Sequence, residues 1–274
     1  MKRLFLFAFY DPQGKVGEAA LRYLDALQAL GDVVLATDCD LQPGEAEKLA
    51  PLVRAFTASR HGEYDFGSYK RAFRLAELEG YDVLYLVNDS VVGPLYPLEP
   101  YLQRMEALGT EAFGLVLNPS RKAPHLQSWF IGLTPAVFRA PWFREFLDSV
   151  TAVGRKEEVC TRYENGLSRL LEAHSVTYAG LYELPGRTVY NAVDRLFAEG
   201  FPFLKKSAFT RHGGSLGPAV ARVLSAADAS ISEAIVADLD RLQGEQYRRA
   251  FLSAGPFRST LRYLRYLLGK VTGR

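Results

Sequence analysis

The chain of 274 residues has room for one large domain or two small ones, and its 48% apolar and 23% charged residues suit a folded globular protein, not a coiled coil or a fibre. The 33 basic side chains against 31 acidic leave a formal net charge of +2, too small for nucleic acid to be the main partner. The two cysteines, Cys39 and Cys160, exclude a disulfide framework and a cysteine-rich metal site, and favour a reducing, cytoplasmic setting.

The first apolar run, residues 4–10, follows Met1-Lys2-Arg3. It lacks the length and the small-residue cleavage site of a signal peptide and meets Asp11-Pro12-Gln13-Gly14-Lys15, so the pattern predicts a buried strand ended by a turn. Val16, Ala20, Leu21, Leu24, Leu27 and Leu30 have the spacing of an amphipathic helix over 16–30. A short strand at 33–37 and an acidic, helix-like stretch from 38 to 47 complete a βαβ unit. The order repeats with a strand at 52–57, a helix at 66–79 and a strong apolar strand at 83–87 that runs into Asn88-Asp89-Ser90. This alternation predicts an α/β fold with a parallel sheet covered by helices. The second half is less regular: a helix at 98–108, strands at 112–117 and 128–133, helices at 141–150 and 158–173, and a strand at 176–180, which together predict a mixed sheet. Helices are expected at 225–251 and, after Gly255-Pro256, at 257–269. No segment approaches the ~20 consecutive apolar residues of a membrane span.

No Gly-x-Gly-x-x-Gly follows a strand, and Walker A, Gly-x-Ser-x-Gly and His-Glu-x-x-His sequences are absent. Ligands of an open parallel sheet bind at the carboxyl ends of its strands, which singles out the loops 10–15, 59–69 and 88–94. Asn88-Asp89-Ser90 offers short oxygen ligands for Mg²⁺ or Mn²⁺, or else forms a turn or cap. In Tyr64-Asp65-Phe66-Gly67-Ser68-Tyr69-Lys70, aromatics can stack on a base or sugar while Asp65 accepts hydrogen bonds; equally, Asp65 is an N-cap and Phe66 a core residue. Lys205, Lys206, Arg211 and His212 form a basic cluster that either closes over a diphosphate, with His212 able to complete a metal shell, or is a solvated loop. His61, His125 and His174 read as surface or loop histidines. Residues 257–270 mix aromatics and leucines with basic side chains, the composition of an interfacial helix or of one docked with its arginines in water.

The segments 64–70, Tyr81-Asp82 leading to Asn88-Asp89-Ser90-Val91-Val92-Gly93-Pro94, Ser128-Trp129-Phe130, Tyr163-Glu164-Asn165-Gly166-Leu167-Ser168 and Pro202-Phe203-Leu204-Lys205 resemble, in order, the motifs of the rhamnan-synthesis protein F family of polysaccharide-building glycosyltransferases. The resemblance runs from about Phe5 to Lys205 and does not cover the residues after Phe209. It implies a GT-A-like, Rossmann-type mixed sheet over 1–210, and the residues 211–274, helical by their own pattern, are expected to pack on it as an extension. It also implies a nucleotide-diphosphate sugar donor and a saccharide acceptor built on a polyprenyl carrier at the inner face of the cell membrane, where the composition of 257–270 offers a peripheral contact. The donor would meet Asp65, Gly67, Tyr69, Lys70, Asn88, Asp89, Ser90 and Lys205. A divalent cation, Mn²⁺ or Mg²⁺, would be held by Asp89 and His212, and Trp129 would face the acceptor. Asn88-Asp89-Ser90 carries one carboxylate where the usual Asp-x-Asp element has two, and Arg60-His61-Gly62-Glu63 lacks the Asn and Gly that precede the motif in many relatives. For the base of an inverting transfer Glu164 is the candidate and Glu158 the reserve, against a reading in which Glu164 only complements a helix dipole. The functions in play are a glycosyltransferase of cell-surface (O-antigen or rhamnan-type, lipopolysaccharide) synthesis with rhamnose one candidate sugar, a non-catalytic glycan- or nucleotide-binding component of the same machinery, and a nucleotidyltransferase or phosphosugar enzyme on a similar sheet.

Overall fold

The computed structural model describes residues 1–121 and 123–272. The chain forms two compact units: Met1–Val16, Leu24–Asp89 and Leu98–Gly186 make the first, and Gly17–Tyr23, Ser90–Pro97 and the residues from Arg187 on make the second. In chain order the strands are β1 (Arg3–Phe9), β2 (Asp32–Thr37), β3 (Ala55–Ala58), β4 (Val83–Asn88), β5 (Val91–Val92), β6 (Ala112–Asn118), β7 (His125–Leu126), β8 (Phe130–Leu133), β9 (Tyr178–Glu183) and β10 (Leu204–Lys205). The longer helices are α1 (Glu18–Gln28), α2 (Tyr64–Leu75), α3 (Glu99–Glu106), α4 (Pro141–Asp148), α5 (Asn165–Ala173), α6 (Gly217–Ala226), α7 (Ala229–Gln243), α8 (Glu245–Leu252) and α9 (Pro256–Thr272).

Among the described residues the first unit holds an eight-stranded mixed sheet of order β3-β2-β1-β4-β8-β6-β7, with β9 paired to β6. The pairs β3–β2, β2–β1 and β1–β4 are parallel, β4–β8, β8–β6 and β6–β7 are antiparallel, and β9 runs parallel to β6. The parallel first half and mixed second half agree with the sequence pattern. Every residue of β1 and β4 is buried, as a strand covered on both faces requires. On one face Leu4, Leu6, Leu84 and Leu86 share a core with Phe66, Tyr69 and Phe73 of α2 and Phe143 and Leu147 of α4. On the other, the Phe5 ring stacks on Tyr85 with 5.0 Å between centroids. Beneath it the Tyr85 hydroxyl donates to Glu106 Oε1 at 2.8 Å, and Arg3 Nε donates to the same oxygen at 2.6 Å.

The second unit has its own core, in which Val92, Leu95, Leu204, Ala208 and Phe209 pack with Val220, Val223, Ile231, Ile235 and Leu239. Its two-stranded ribbon pairs β5 with β10 antiparallel. Residues 187–210 group with the C-terminal helices in this unit, as do Gly17–Tyr23 and Ser90–Pro97. Positions 273 and 274 lie outside the described residues. No helix among the described residues is long and apolar enough to cross a membrane.

Three boundaries differ from expectation. The stretch 38–47 is a loop until the short helix Glu45–Leu49, because Asp38 and Asp40 spend their carboxylates on backbone N–H groups of 60–64. A π-helical turn, Cys160–Glu164, precedes α5 where one continuous helix was expected. The expected helix at 225–251 is split among α6, α7 and α8. Asp228 caps α7 by accepting from Ser230 N and Ile231 N, and Gly244, at φ 86°, ends it. Removing this cap with Asp228→Ala is expected to lower Tm by a few degrees in a thermal melt, leaving the sheet of the first unit unaltered.

Candidate active site at the carboxyl edge of the sheet

The chain order β3-β2-β1-β4 reverses direction at β1, so the switch point of the parallel half lies between β1 and β4, where open α/β sheets bind ligands. Their carboxyl ends lead to Asp11 and Asp89, both in the first unit. The Asp89 N–H donates to Ala8 O at 3.2 Å, fixing the start of the β4 loop beside β1. Asn88, buried at the end of β4, donates from Nδ2 to Asp65 Oδ2 at 2.7 Å, and its N–H donates to Trp129 O at 3.3 Å. Asp65 and Asn88, 23 positions apart in sequence, thus form a direct pair. Asp11 is buried and accepts from Gln13 N at 2.9 Å and Lys15 N at 3.2 Å, holding the β1 loop.

The loop before α2 is organised by a residue that pattern reading missed. Asp38, at the end of β2, accepts from His61 N and Gly62 N at 2.7 Å each and from Tyr64 N at 3.2 Å. This lets the chain turn through Gly62 at φ 70° and Tyr64 at φ 55° into α2. His61, read from sequence as a loop histidine, has a nearly buried ring. Its Nδ1 accepts from Glu63 N at 3.1 Å, so the Nε2–H is left to donate to Ser68 Oγ at 3.1 Å. Burial pushes the His61 imidazole below its ordinary value, against the opposing pull of Asp38. Burial likewise raises the Cys39 thiol in the β2 loop.

Several residues of the 64–70 motif turn out to build the site from below. Phe66 and Tyr69 are core residues, and the Tyr69 hydroxyl donates to Ser128 O at 2.8 Å. Lys70, expected at the donor, is buried with its Nζ donating to Val150 O at 2.6 Å and paired to Glu63 at 2.9 Å, so its charge is spent inside the fold. Gly67 is needed for space: a Cβ there would collide with Glu63 Cβ and His61 Cε1. Trp129, expected to face an acceptor, has a buried ring whose Nε1–H donates to Gln127 Oε1 at 2.7 Å, which removes it as a stacking platform. Burial raises the Glu63 carboxyl, but the hydrogen bonds and charges of Arg71 and Lys70 outweigh it and hold Glu63 below the ordinary value of about 4.3. Because the folded state prefers the ionised form, this contribution is present above that value and is lost as pH falls through the lower folded one. Denaturant titrations should therefore show Glu63→Gln destabilised at neutral pH, with the gap to wild type closing in acid.

Two antiparallel steps from β4 through β8 make β6 run parallel to β4, so the end of β6 lies at the same edge. There His125 pairs with Asn118 in register. Its Nε2 is 3.9 Å from Glu164 Oε1, and its Nδ1–H donates to Ala123 O at 2.8 Å. Glu164 closes the π-helical turn, the kind of irregularity that frequently marks functional positions. The turn is anchored by Tyr163, whose buried ring packs on Phe66 at 5.7 Å. His125, read as a loop histidine, is thus a neighbour of Glu164.

The remaining candidates lie in the second unit. Lys205 Nζ donates to Ser90 Oγ at 3.0 Å, and Lys206 N donates to Ser90 O at 3.0 Å. His212, at φ 52°, has its ring 5.2 Å from Tyr263 and 5.0 Å from Tyr266. Burial lowers its basicity first, and Arg211, Arg187 and Lys270 add to the effect. Cationic neighbours of this kind repel a metal ion, so His212 does not suit the ligand role expected for it. Among the described residues no group of three or more His, Cys, Asp or Glu side chains is placed to hold a metal.

Among solved structures the chain is similar to a protein described as a nucleotide-diphospho-sugar transferase from Desulfovibrio desulfuricans G20, at 17% identity over 77% of this chain and 91% of that one, with a TM-score of 0.41. It is also similar to 4-diphosphocytidyl-2C-methyl-D-erythritolsynthase from Anaerococcus prevotii DSM 20548 (10% identity, 73% and 96% covered, TM-score 0.39) and to TarS 1-349 of S. aureus (12% identity, 100% and 92% covered, TM-score 0.38). At these scores and identities the likenesses carry no argument about function. No curated protein matches the sequence. The family model described as Rhamnan synthesis protein F matches residues 33–259 and takes in much of the stretch after Phe209 that the motifs left uncovered. With the greater part of the chain inside that match, this protein belongs to the rhamnan synthesis protein F family.

Proposed function

We propose that the chain is a glycosyltransferase that moves a sugar, with rhamnose the first candidate, from a nucleoside diphosphate donor to a saccharide acceptor of a cell-surface polysaccharide. The observation that carries this reading is the Asp65–Asn88 pair beside Asp89 at the switch point of the sheet, in a chain of this family. In this reading Asp65 is the acceptor for base or ribose hydroxyl and amine groups of the donor. Asp89 is the carboxylate that would hold a divalent cation shared with the donor diphosphate, where the ion neutralises charge on the leaving group. In the inverting reaction proposed, the acceptor hydroxyl attacks the anomeric carbon, the bond to the diphosphate oxygen breaks, and Glu164 takes the hydroxyl proton. The acceptor proposed is a glycan on a polyprenyl carrier at the cytoplasmic face of the membrane.

Calorimetric titration with nucleoside diphosphates tests the donor half. Asp65→Ala should weaken binding by roughly 1.5–3 kcal/mol, the range for a hydrogen bond to a charged group. Unchanged affinity in a folded variant removes Asp65 from the site. Repeating the titration with Mn²⁺ and with EDTA, in wild type and Asp89→Asn, reads the cation through affinity alone.

A further inference from the structure

Helix α9 shows its apolar side to solvent. Phe257, Leu261, Leu264 and Leu268 recur at helical spacing along one stripe and are 81%, 38%, 48% and 63% exposed. The opposite stripe, Ser259, Arg262, Tyr266 and Gly269, is the docked one. There Ser259 is buried, Arg262 donates from Nη1 to Gly214 O at 3.2 Å and from Nη2 to Ala250 O at 3.1 Å, and the Tyr266 ring meets His212. A helix whose only task was to cap the second unit would bury its leucines, and α9 leaves Leu261, Leu264, Leu267 and Leu268 exposed. Exposed Arg258 and Arg265 lie two turns apart along one flank of the apolar stripe, and the helix contains no acidic residue.

We infer that this face of α9 is a docking surface for an anionic phospholipid bilayer, with the stripe entering the headgroup boundary and Arg258 and Arg265 meeting lipid phosphates. Charge decides the occupant. A second copy seated on the same face would bring arginines against arginines with no carboxylate of α9 to offset them, whereas a phosphate surface complements them. The helix lies in the interface, since no described helix is long and apolar enough to span. Lipid binding by this face requires nothing of sugar transfer, so the two stand or fall separately.

The test is cosedimentation of the full chain with phosphatidylcholine vesicles, with and without phosphatidylglycerol. Wild type should sediment with the anionic vesicles and be released by salt. R258Q/R265Q should lose roughly thirtyfold in vesicle affinity, at about 1 kcal/mol per basic residue near such a surface. L264D/L268D changes only exposed positions and should keep wild-type circular dichroism while abolishing sedimentation. No binding of wild type to anionic vesicles, or binding by both variants equal to wild type, overturns the inference. So does a dimer in light scattering that L264D/L268D dissociates, because a second copy would then cover the face.

Discussion

Glu164→Gln is expected to keep the fold and the donor affinity and to lose transfer to acceptor by ~10²–10⁴-fold, the usual worth of a general base. The π-helical turn fixes the position of Glu164 at the edge where β4 and β6 end, with His125 Nε2 3.9 Å from its carboxylate. The His125 Nδ1–H donates to Ala123 O at 2.8 Å, which fixes the ring beside Glu164. A residue that merely complemented the α5 dipole would contribute ~0.3–1 kcal/mol to stability and nothing to turnover. The two roles differ in kind as well as in size. Turnover within a few-fold of wild type in the Gln variant, with acceptor saturating, means that another carboxylate is the base or that the reaction is not inverting.

The second large effect is expected at Asp38. Its carboxylate accepts three backbone N–H groups from the loop that leads into α2, and each such bond to a charged acceptor is worth about 1.5 kcal/mol or more. Water can replace part of this at a loop near the surface, so Asp38→Ala should cost roughly 3 kcal/mol of unfolding free energy in urea. Donor affinity should fall with it, because His61, Gly62 and Tyr64 set where Asp65 enters the helix. Asp38→Asn, which keeps an acceptor and loses the charge, should lie between the two. An Asp38→Ala protein with wild-type unfolding midpoint and nucleotide affinity contradicts this role.

What the sequence made legible follows from how many residues carry each signal. β1 and β4 are runs of consecutive apolar residues, and their alternation with amphipathic segments predicts the parallel half of the sheet that is found. The ribbon of β5 and β10 has two residues per strand, too few for any period to show. The break at Asp228 and Gly244 was written in local chemistry, a cap residue and a glycine, but the apolar pattern continues across it and hid it. The candidate site divides in the same way. The loops at the strand ends were identifiable because the sheet rule needs only strand order, and Asp65, Asn88 and Asp89 came with them. Which motif residues face inward was not identifiable: Lys70 and Trp129 look like ligand-binding types, yet Val150 O, Glu63 and Gln127 claim their polar atoms. Asp38, His61 and His125 carried no pattern at all, since each acquires its role from a neighbour far along the chain.

Incubating the purified chain with a panel of nucleoside diphosphate sugars and a saccharide acceptor, and identifying the nucleotide released, tests the central claim most directly. The account predicts release of a nucleoside diphosphate from one donor, dependent on Asp65 and Asp89. Pyrophosphate released from a nucleoside triphosphate and a sugar phosphate, or tight nucleotide-sugar binding with no turnover of any donor, contradicts it.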